Sequence, residues 1–305
     1  MAVRAADLEA GRSRWAARRR LSAVFWRRPW LRGGLLLLPP LGWFVVIYLA
    51  ALAILFVSAF WRYDSLSGQV VHDWNLDNFR TIWEEPAYRA IAVRTIGIAA
   101  AVTITDAIIA FPFAYFMARY ASPKMRALLF VLVLLPLWSS YLARVYAWRL
   151  ILAKEGALNW ALDALHLPTI GVAYSNWAMW IVFSYIWLPF MIMPVYASLE
   201  RIPDSYLEAS RDLGARSFMT FRSVVWPLAL PGVVAGSIFT FSLTLGDYIT
   251  PQLVGSQQFI GNIVYRNVLG LSNNIPFAAA YATIPLVVMG VYLLLARRAG
   301  AFEAM

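Results

Sequence analysis

Six apolar runs divide the chain. They lie at about 33–60, between Arg32 and Arg62; at 95–118, between Arg94 and Arg119 and interrupted only by Asp106; from Arg126 to about 143; at about 174–198; at 223–246; and at about 275–296, ending at Arg297 and Arg298. A helix needs about 20 apolar residues to cross a bilayer, and runs of this kind predict transmembrane helices. The pattern predicts an all-α, polytopic membrane protein of about six spans, with little chain left for a soluble domain. The first run is too long for a signal-peptide core and has no clear small-residue cleavage site, so it reads as a retained helix.

The polar positions between the runs are as informative. Glu200 to Arg222 is an island holding Glu200, Arg201, Asp204, Glu208, Arg211, Asp212, Arg216 and Arg222, with uncharged stretches at 167–199 and 223–246 on its flanks. Its polar spacing is helical, then comes Gly214, then a second helical turn leading to Pro227. This predicts two short helices with a glycine elbow, lying on the membrane surface and shaped to touch a soluble partner. A plain solvated loop is the alternative. Two other loops predict small amphipathic helices: "NLDNFRTIWEEPAYRAIAVRT" within 61–94, feeding the second span, and "LAKEGALNWALDALHLP" within 144–173. Residues 1–32 carry nine arginines with Trp15, Phe25, Trp26 and Trp30 among them, a mix suited to anionic headgroups; 1–12 reads as a disordered tail. The domain division is thus 1–32, a basic N-terminal segment; 33–298, the membrane domain with the 200–227 loop; and 299–305, a tail. Gly232 and Gly236 form a small-xxx-small pair that predicts close helix packing.

Composition sharpens this picture. The chain has 305 residues, is 61% hydrophobic and has mean hydropathy +0.64. With the N-terminus in the cytoplasm, the cytoplasmic pieces carry nine, three, four and two Lys or Arg, which is 18 of the 26. The outer loops carry four, three and one, which is 8. Basic residues belong inside, so both termini and the 200–222 loop are expected in the cytoplasm. The net charge of +10 then signals topology, with no nucleic-acid partner expected. No cysteine is present, which excludes disulfides, thiolate catalysis and cysteine-ligated metal. His72 and His166 have no metal-ligand spacing. Lys124 and Lys154 are the only lysines and neither follows a glycine, so there is no phosphate-binding Gly-Lys-Ser/Thr loop.

Charges inside a bilayer are costly and face a cavity or a partner. Asp106 stands alone near the middle of the second span, where it either meets cargo or bonds to a neighbouring helix. Asp247 and Tyr248 close the fifth span, where the carboxylate either receives a cation or is a solvated helix end. Among the many aromatics, Trp138 and Tyr141 are the best placed to hold an ammonium by cation–π contact. Arg144 and Arg149 argue against a polycation, or pair with a partner protein.

Glu208-Ala209-Ser210, then Gly214, then Val224-Val225-Trp226-Pro227 resembles the EAA loop of ABC importer permeases. That pattern is Glu-Ala-Ala, three residues, Gly, nine residues, Ile, one residue, Leu-Pro. Glu208, Ala209, Gly214 and Pro227 match in register, while Ser210, Val224 and Trp226 depart from it. Residues 111–162, most of all Arg144-Val145-Tyr146-Ala147-Trp148 with Gly156 and Asn159, are similar to the spermidine/putrescine branch, as is "SLTLGDYITPQLVGS" at 242–256.

The resemblance implies a type I importer permease in a bacterial inner membrane that catalyses no bond chemistry. It implies pairing with a second homologous permease, two cytoplasmic ATPases that bind ATP and Mg, and a periplasmic or lipid-anchored binding protein. Glu208, Ala209, Ser210, Gly214 and Pro227 would couple ATPase motion to the membrane domain. The implied cargo is a polyamine. An opine, amino-acid derivative or phosphonate stays open as cargo, as does a secondary transporter without an ATPase.

Overall fold

The computed structural model describes residues 29–270 and 272–298. The interfacial segment expected in 1–32 falls outside them as far as residue 28, and so does the tail at 299–305. The chain divides into two units between Val57 and Ser58. The first holds all but the last residue of one span, α1 (Gly33–Ser58), whose middle turn widens to a π-helix at Phe44–Leu49.

The second unit opens with a hairpin that the apolar runs gave no sign of. Strand β1 (Arg62–Asp64) pairs antiparallel with β2 (Gln69–Val71), Tyr63 opposite Val70. Asp64 closes the turn, accepting from the Leu66 N–H at 3.0 Å and the Ser67 hydroxyl at 2.7 Å, and Gly68 takes φ +69°. The helices that follow are α2 (Asp77–Glu84), α3 (Pro86–Arg119), α4 (Pro123–Leu134), α5 (Tyr141–Ile151), α6 (Ala157–Ala164), α7 (Asn176–Glu200), α8 (Asp204–Asp212), α9 (Ser217–Thr220), α10 (Trp226–Gly246), α11 (Ile249–Val254), α12 (Ile260–Leu269) and α13 (Ile275–Arg298). The two small helices expected in the loops appear as α2 and α6.

Among the described residues, five helices are long and apolar enough to cross a membrane: α1, α3, α7, α13 and Ser217–Gly246, which joins α9 to α10. The second of them outruns its apolar stretch. Pro86 at the first turn of α3 starts the helix, because a missing N–H costs nothing there. Its 34 residues span about 51 Å at 1.5 Å per residue. The third expected span is not a straight helix. Pro123–Trp138 and Tyr141–Ile151 meet at 94°, a broken span or a re-entrant loop. Pro136 removes a backbone donor in the 3-10 turn Leu135–Trp138, and Ser139 follows with extended backbone and bonds its hydroxyl to the Pro136 carbonyl at 2.7 Å. A proline beside serines is a standard cause of such a break.

Helices α3, α7 and α10 pack most extensively against one another. Small residues let them approach: Ala99, Ala110 and Ala114 of α3 and Ala229 of α10 are fully buried. A Cβ on Gly232 would meet the Pro194 carbonyl oxygen at 2.5 Å, and one on Gly236 would meet Met191 Cα at 3.0 Å. The glycine pair is the α10 contact against α7. Helix α13 joins through Tyr281, which is fully buried and donates to the Tyr88 carbonyl at 2.7 Å. Between α5 and α7, Asn159 donates to the Ala153, Lys154 and Ile170 carbonyls and accepts from the Ile170 N–H at 2.8 Å. That accounts for Gly156 and Asn159 as paired features: a Cβ on Gly156 would strike the Ile151 carbonyl oxygen at 2.6 Å.

Candidate functional site

The 200–227 loop folds as two short helices about a glycine elbow. Helix α8 ends in a Schellman motif: the Ala215 N–H reaches the Ser210 carbonyl at 3.1 Å and the Gly214 N–H reaches that of Arg211 at 2.8 Å. The motif requires a left-handed residue, and Gly214 supplies it at φ +80°. Ser210, which departs from the family pattern, bonds its hydroxyl to Thr220 Oγ1 at 2.9 Å and ties α8 to α9. Trp226, another departure, stands 5.5 Å from the Phe111 ring. Just before Pro227 the chain widens to a π turn, Phe221–Val225, and the Trp226 N–H returns to the Phe221 carbonyl. Proline has no donor for the next α-helical bond, and a π turn is the local adjustment.

Glu208 and Ala209 are exposed, and none of the four ion pairs among the described residues engages Glu208. The loop also presents large apolar side chains: Leu213 is 88% and Phe218 73% exposed, and Tyr206 and Met219 are exposed as well. Phe218 and Met219 fall within the candidate membrane span Ser217–Gly246, while Leu213 lies outside it on the elbow.

Two arginines outside the loop hold its start. Arg119 donates to Asp204 Oδ1 at 2.8 Å and to the Leu199 and Ile202 carbonyls at 2.8 and 2.7 Å. Arg126 donates to the Met117 and Ala118 carbonyls, both at 3.1 Å, and reaches Glu200 Oε1 at 3.4 Å. In the sequence they counted only as topology charges. Their role depends on carbonyls far away in sequence, which no local pattern carries.

At the far end of α10 the candidate residues separate. Asp247 is buried and its oxygens are occupied. Oδ1 accepts from the Ile249 N–H at 2.8 Å and the Thr250 N–H at 3.4 Å; Oδ2 accepts from the Thr250 hydroxyl at 2.9 Å and from the Tyr141 hydroxyl. Tyr141 also stacks on Trp187 at 5.8 Å. Asp247 and Tyr141 are therefore brought together, while Trp138 is 81% exposed on the 3-10 turn. Tyr248 stacks on Tyr265 with centroids 4.5 Å apart, beside an apolar cavity of about 340 Å³.

Asp106 is the opposite case. It is fully buried between α3 and α7, Ser184 is its polar neighbour, and neither its carboxylate oxygens nor the Ser184 hydroxyl are in hydrogen-bonding geometry. Trp187 Nε1 and the Nε and Nη1 of Arg144 are also buried without acceptors. Buried polar groups are nearly always paired, so these atoms stand out.

The model of binding-protein-dependent transport system inner membrane components matches residues 110–300. The chain belongs to that family. The permease is 47% identical over 300 residues to the inner membrane ABC transporter permease protein YdcU of Escherichia coli K12, covering 94% of this chain and 95% of that one. It is 33% identical to the spermidine/putrescine transport system permease protein PotB of the same organism, covering 85% and 94%. Among solved structures, a bacterial alginate ABC transporter in complex with an alginate pentasaccharide-bound periplasmic protein superposes with TM-score 0.70 at 18% identity, covering 91% of this chain and 96% of that chain. The MetNI methionine ABC transporter, inward facing, gives 0.54 at 16%, covering 74% and 98%. These likenesses carry the fold. The chain is a non-catalytic, multi-pass inner membrane permease subunit of an ABC transporter.

Proposed function

We propose that this permease imports polyamines. The observation that carries the reading is its 33% identity to spermidine/putrescine permeases over 85% of its length. The importer has four further parts in this reading. A second homologous permease shares the path, two ATPases bind ATP and Mg, and a binding protein delivers cargo. The 200–227 loop docks on an ATPase through Glu208, Ala209 and the exposed Leu213 and Phe218, with Ser210, Gly214 and Pro227 keeping its shape. That end of the molecule, with both termini, faces the cytoplasm; the excess of basic residues supports this.

Of the residues expected along the path, Asp106 has Ser184 as its one polar neighbour and makes no hydrogen bond of full geometry within the chain. An ammonium in a low-dielectric path gains far more from such a group than it would in water. Asp247 holds its own helix end, and Trp138, Tyr141 and Tyr248 supply aromatic surface. A second reading is favoured by Arg144, whose guanidinium has two nitrogens without acceptors: the cargo is then a small solute bearing a carboxylate, such as an amino-acid derivative or opine, or a phosphonate. Uptake of labelled putrescine and spermidine, in a strain lacking other polyamine importers, decides between them. Saturable uptake of either supports the first reading. Uptake of an anionic or zwitterionic solute with neither polyamine taken up rejects it.

A further inference from the structure

Helix α8 is joined by the chain to α7 on one side and, through α9, to α10 on the other. Helices α3 and α4 have no such connection to it. If α8 is moved by an ATPase, something must carry that motion to them, and side chains at the loop end supply a physical path.

Arg119 is the last residue of α3, and its side chain is only 11% exposed although Asp204, its ion-pair partner, is 82% exposed. One guanidinium thus binds the end of α7 through Leu199, the connecting turn through Ile202 and the first residue of α8 through Asp204. Arg126, on α4, repeats the device one helix along. It binds the Met117 and Ala118 carbonyls in the last turn of α3, and Glu200 at the end of α7. Glu200 Oε1 is held in turn by the Tyr196 hydroxyl at 2.6 Å. Helix C-termini leave carbonyls without partners and favour cations, so either arginine alone could be taken as a cap. A simple cap does not need a fork that joins three separate segments. The planar guanidinium supplies that fork, and a lysine ammonium does not.

We propose that Arg119 and Arg126 are positioning residues that form a relay, making α8 move as one body with the ends of α3, α4 and α7. Arg119 carries the link to α8, and Arg126 passes it on to α4. The inference rests on the loop being the ATPase-docking element.

The absence of cysteine makes the test direct. Ser205 on α8 and Lys124 on α4 are both exposed. Spin labels at Ser205→Cys and Lys124→Cys report the distance between the two helices in the full complex in lipid nanodiscs. The distance is measured without nucleotide and with ATP plus vanadate. With Arg119 intact, one narrow distribution is expected in both conditions. In Arg119→Ala a second, displaced population should appear on adding nucleotide. Asp204→Ala, which alters only an exposed side chain, should do the same if Arg119→Ala fails to assemble. The double variant should add nothing beyond Arg119→Ala, since the bond to Asp204 is one of those that change already removes. A merely stabilising arginine would lower the yield of complex and leave the distribution single with and without nucleotide. That result in Asp204→Ala, with the ATPase attached, overturns the relay alone. Failure of any ATPase to copurify with the unaltered permease overturns the docking reading, and the relay falls with it.

Discussion

The two ends of α10 use charge in opposite ways. At the loop end, arginines from other helices satisfy backbone carbonyls, and the loop's own Glu208 is left exposed and unpaired. At the far end, Asp247 is buried and spends its carboxylate on Tyr141, Ile249 and Thr250. A group whose partners lie within its own chain builds structure. A group left without them is available to another molecule. By that criterion the far end is a joint, Glu208 at the loop end is an exposed carboxylate, and buried Asp106 is a carboxylate whose oxygens make no hydrogen bond of full geometry.

The sharpest way to break this comparison is to ask which end faces which compartment. A reporter active only outside the cytoplasm should be silent when fused after Met305. Inserted at the hairpin tip beside Leu66, which is 98% exposed, it should be active. The reverse pattern would put the loop end on the wrong side for an ATPase.

Next in size is the elbow. Gly214 has open space around it but φ of +80°. Gly214→Val therefore costs backbone strain rather than a clash, about 1–3 kcal/mol, placed in the segment that must hold its shape on the partner. Transport should be lost while the chain stays membrane-inserted. Copurification of the ATPase and ATP-dependent uptake measure this, and normal values for both would remove the loop from the coupling path.

The carboxylates then separate. Asp247→Ala takes away the acceptor of the Ile249 and Thr250 N–H groups and breaks the link to the Tyr141 hydroxyl, and should lower stability by about 1–3 kcal/mol, read as a fall in the melting temperature of the purified complex. Asp106→Asn keeps the shape and an oxygen that can face Ser184, so the melting temperature should hardly change while uptake slows. If the two swap signatures, Asp106 is the joint and Asp247 the open group.

The apolar runs located five spans and the polar island located the helix–elbow–helix loop at 200–227, because both depend on local sequence. The break at Pro136–Ser140 was harder to read. The prolines were visible, but whether a proline bends a helix by a few degrees or by 94° depends on what receives the freed backbone groups. The hairpin at Arg62–Val71 was missed because three-residue strands have no hydrophobic period to detect. Asp106 stood out at once, since a charge inside an apolar run is rare. The pairing of Tyr141 with Asp247 did not, because the partners lie 106 residues apart.

Ser210 gives the smallest and most specific effect. The family pattern has alanine there, and this chain replaces it with a hydroxyl that reaches Thr220 at 2.9 Å. Thr220 is buried, so the bond joins α8 to the root of α10 across the Gly214 elbow. A hydrogen bond of this kind contributes about 0.5–1.5 kcal/mol. Ser210→Ala should leave the Schellman turn intact, because that turn is made by backbone groups. What it removes is a cross-brace. Uptake per ATP hydrolysed should fall by about twofold to tenfold, in proportion to an interaction of that size. Thr220→Val should give the same loss, and the pair together no more than either alone. Additive losses would show that the two hydroxyls act separately, and that the elbow alone keeps the loop end rigid.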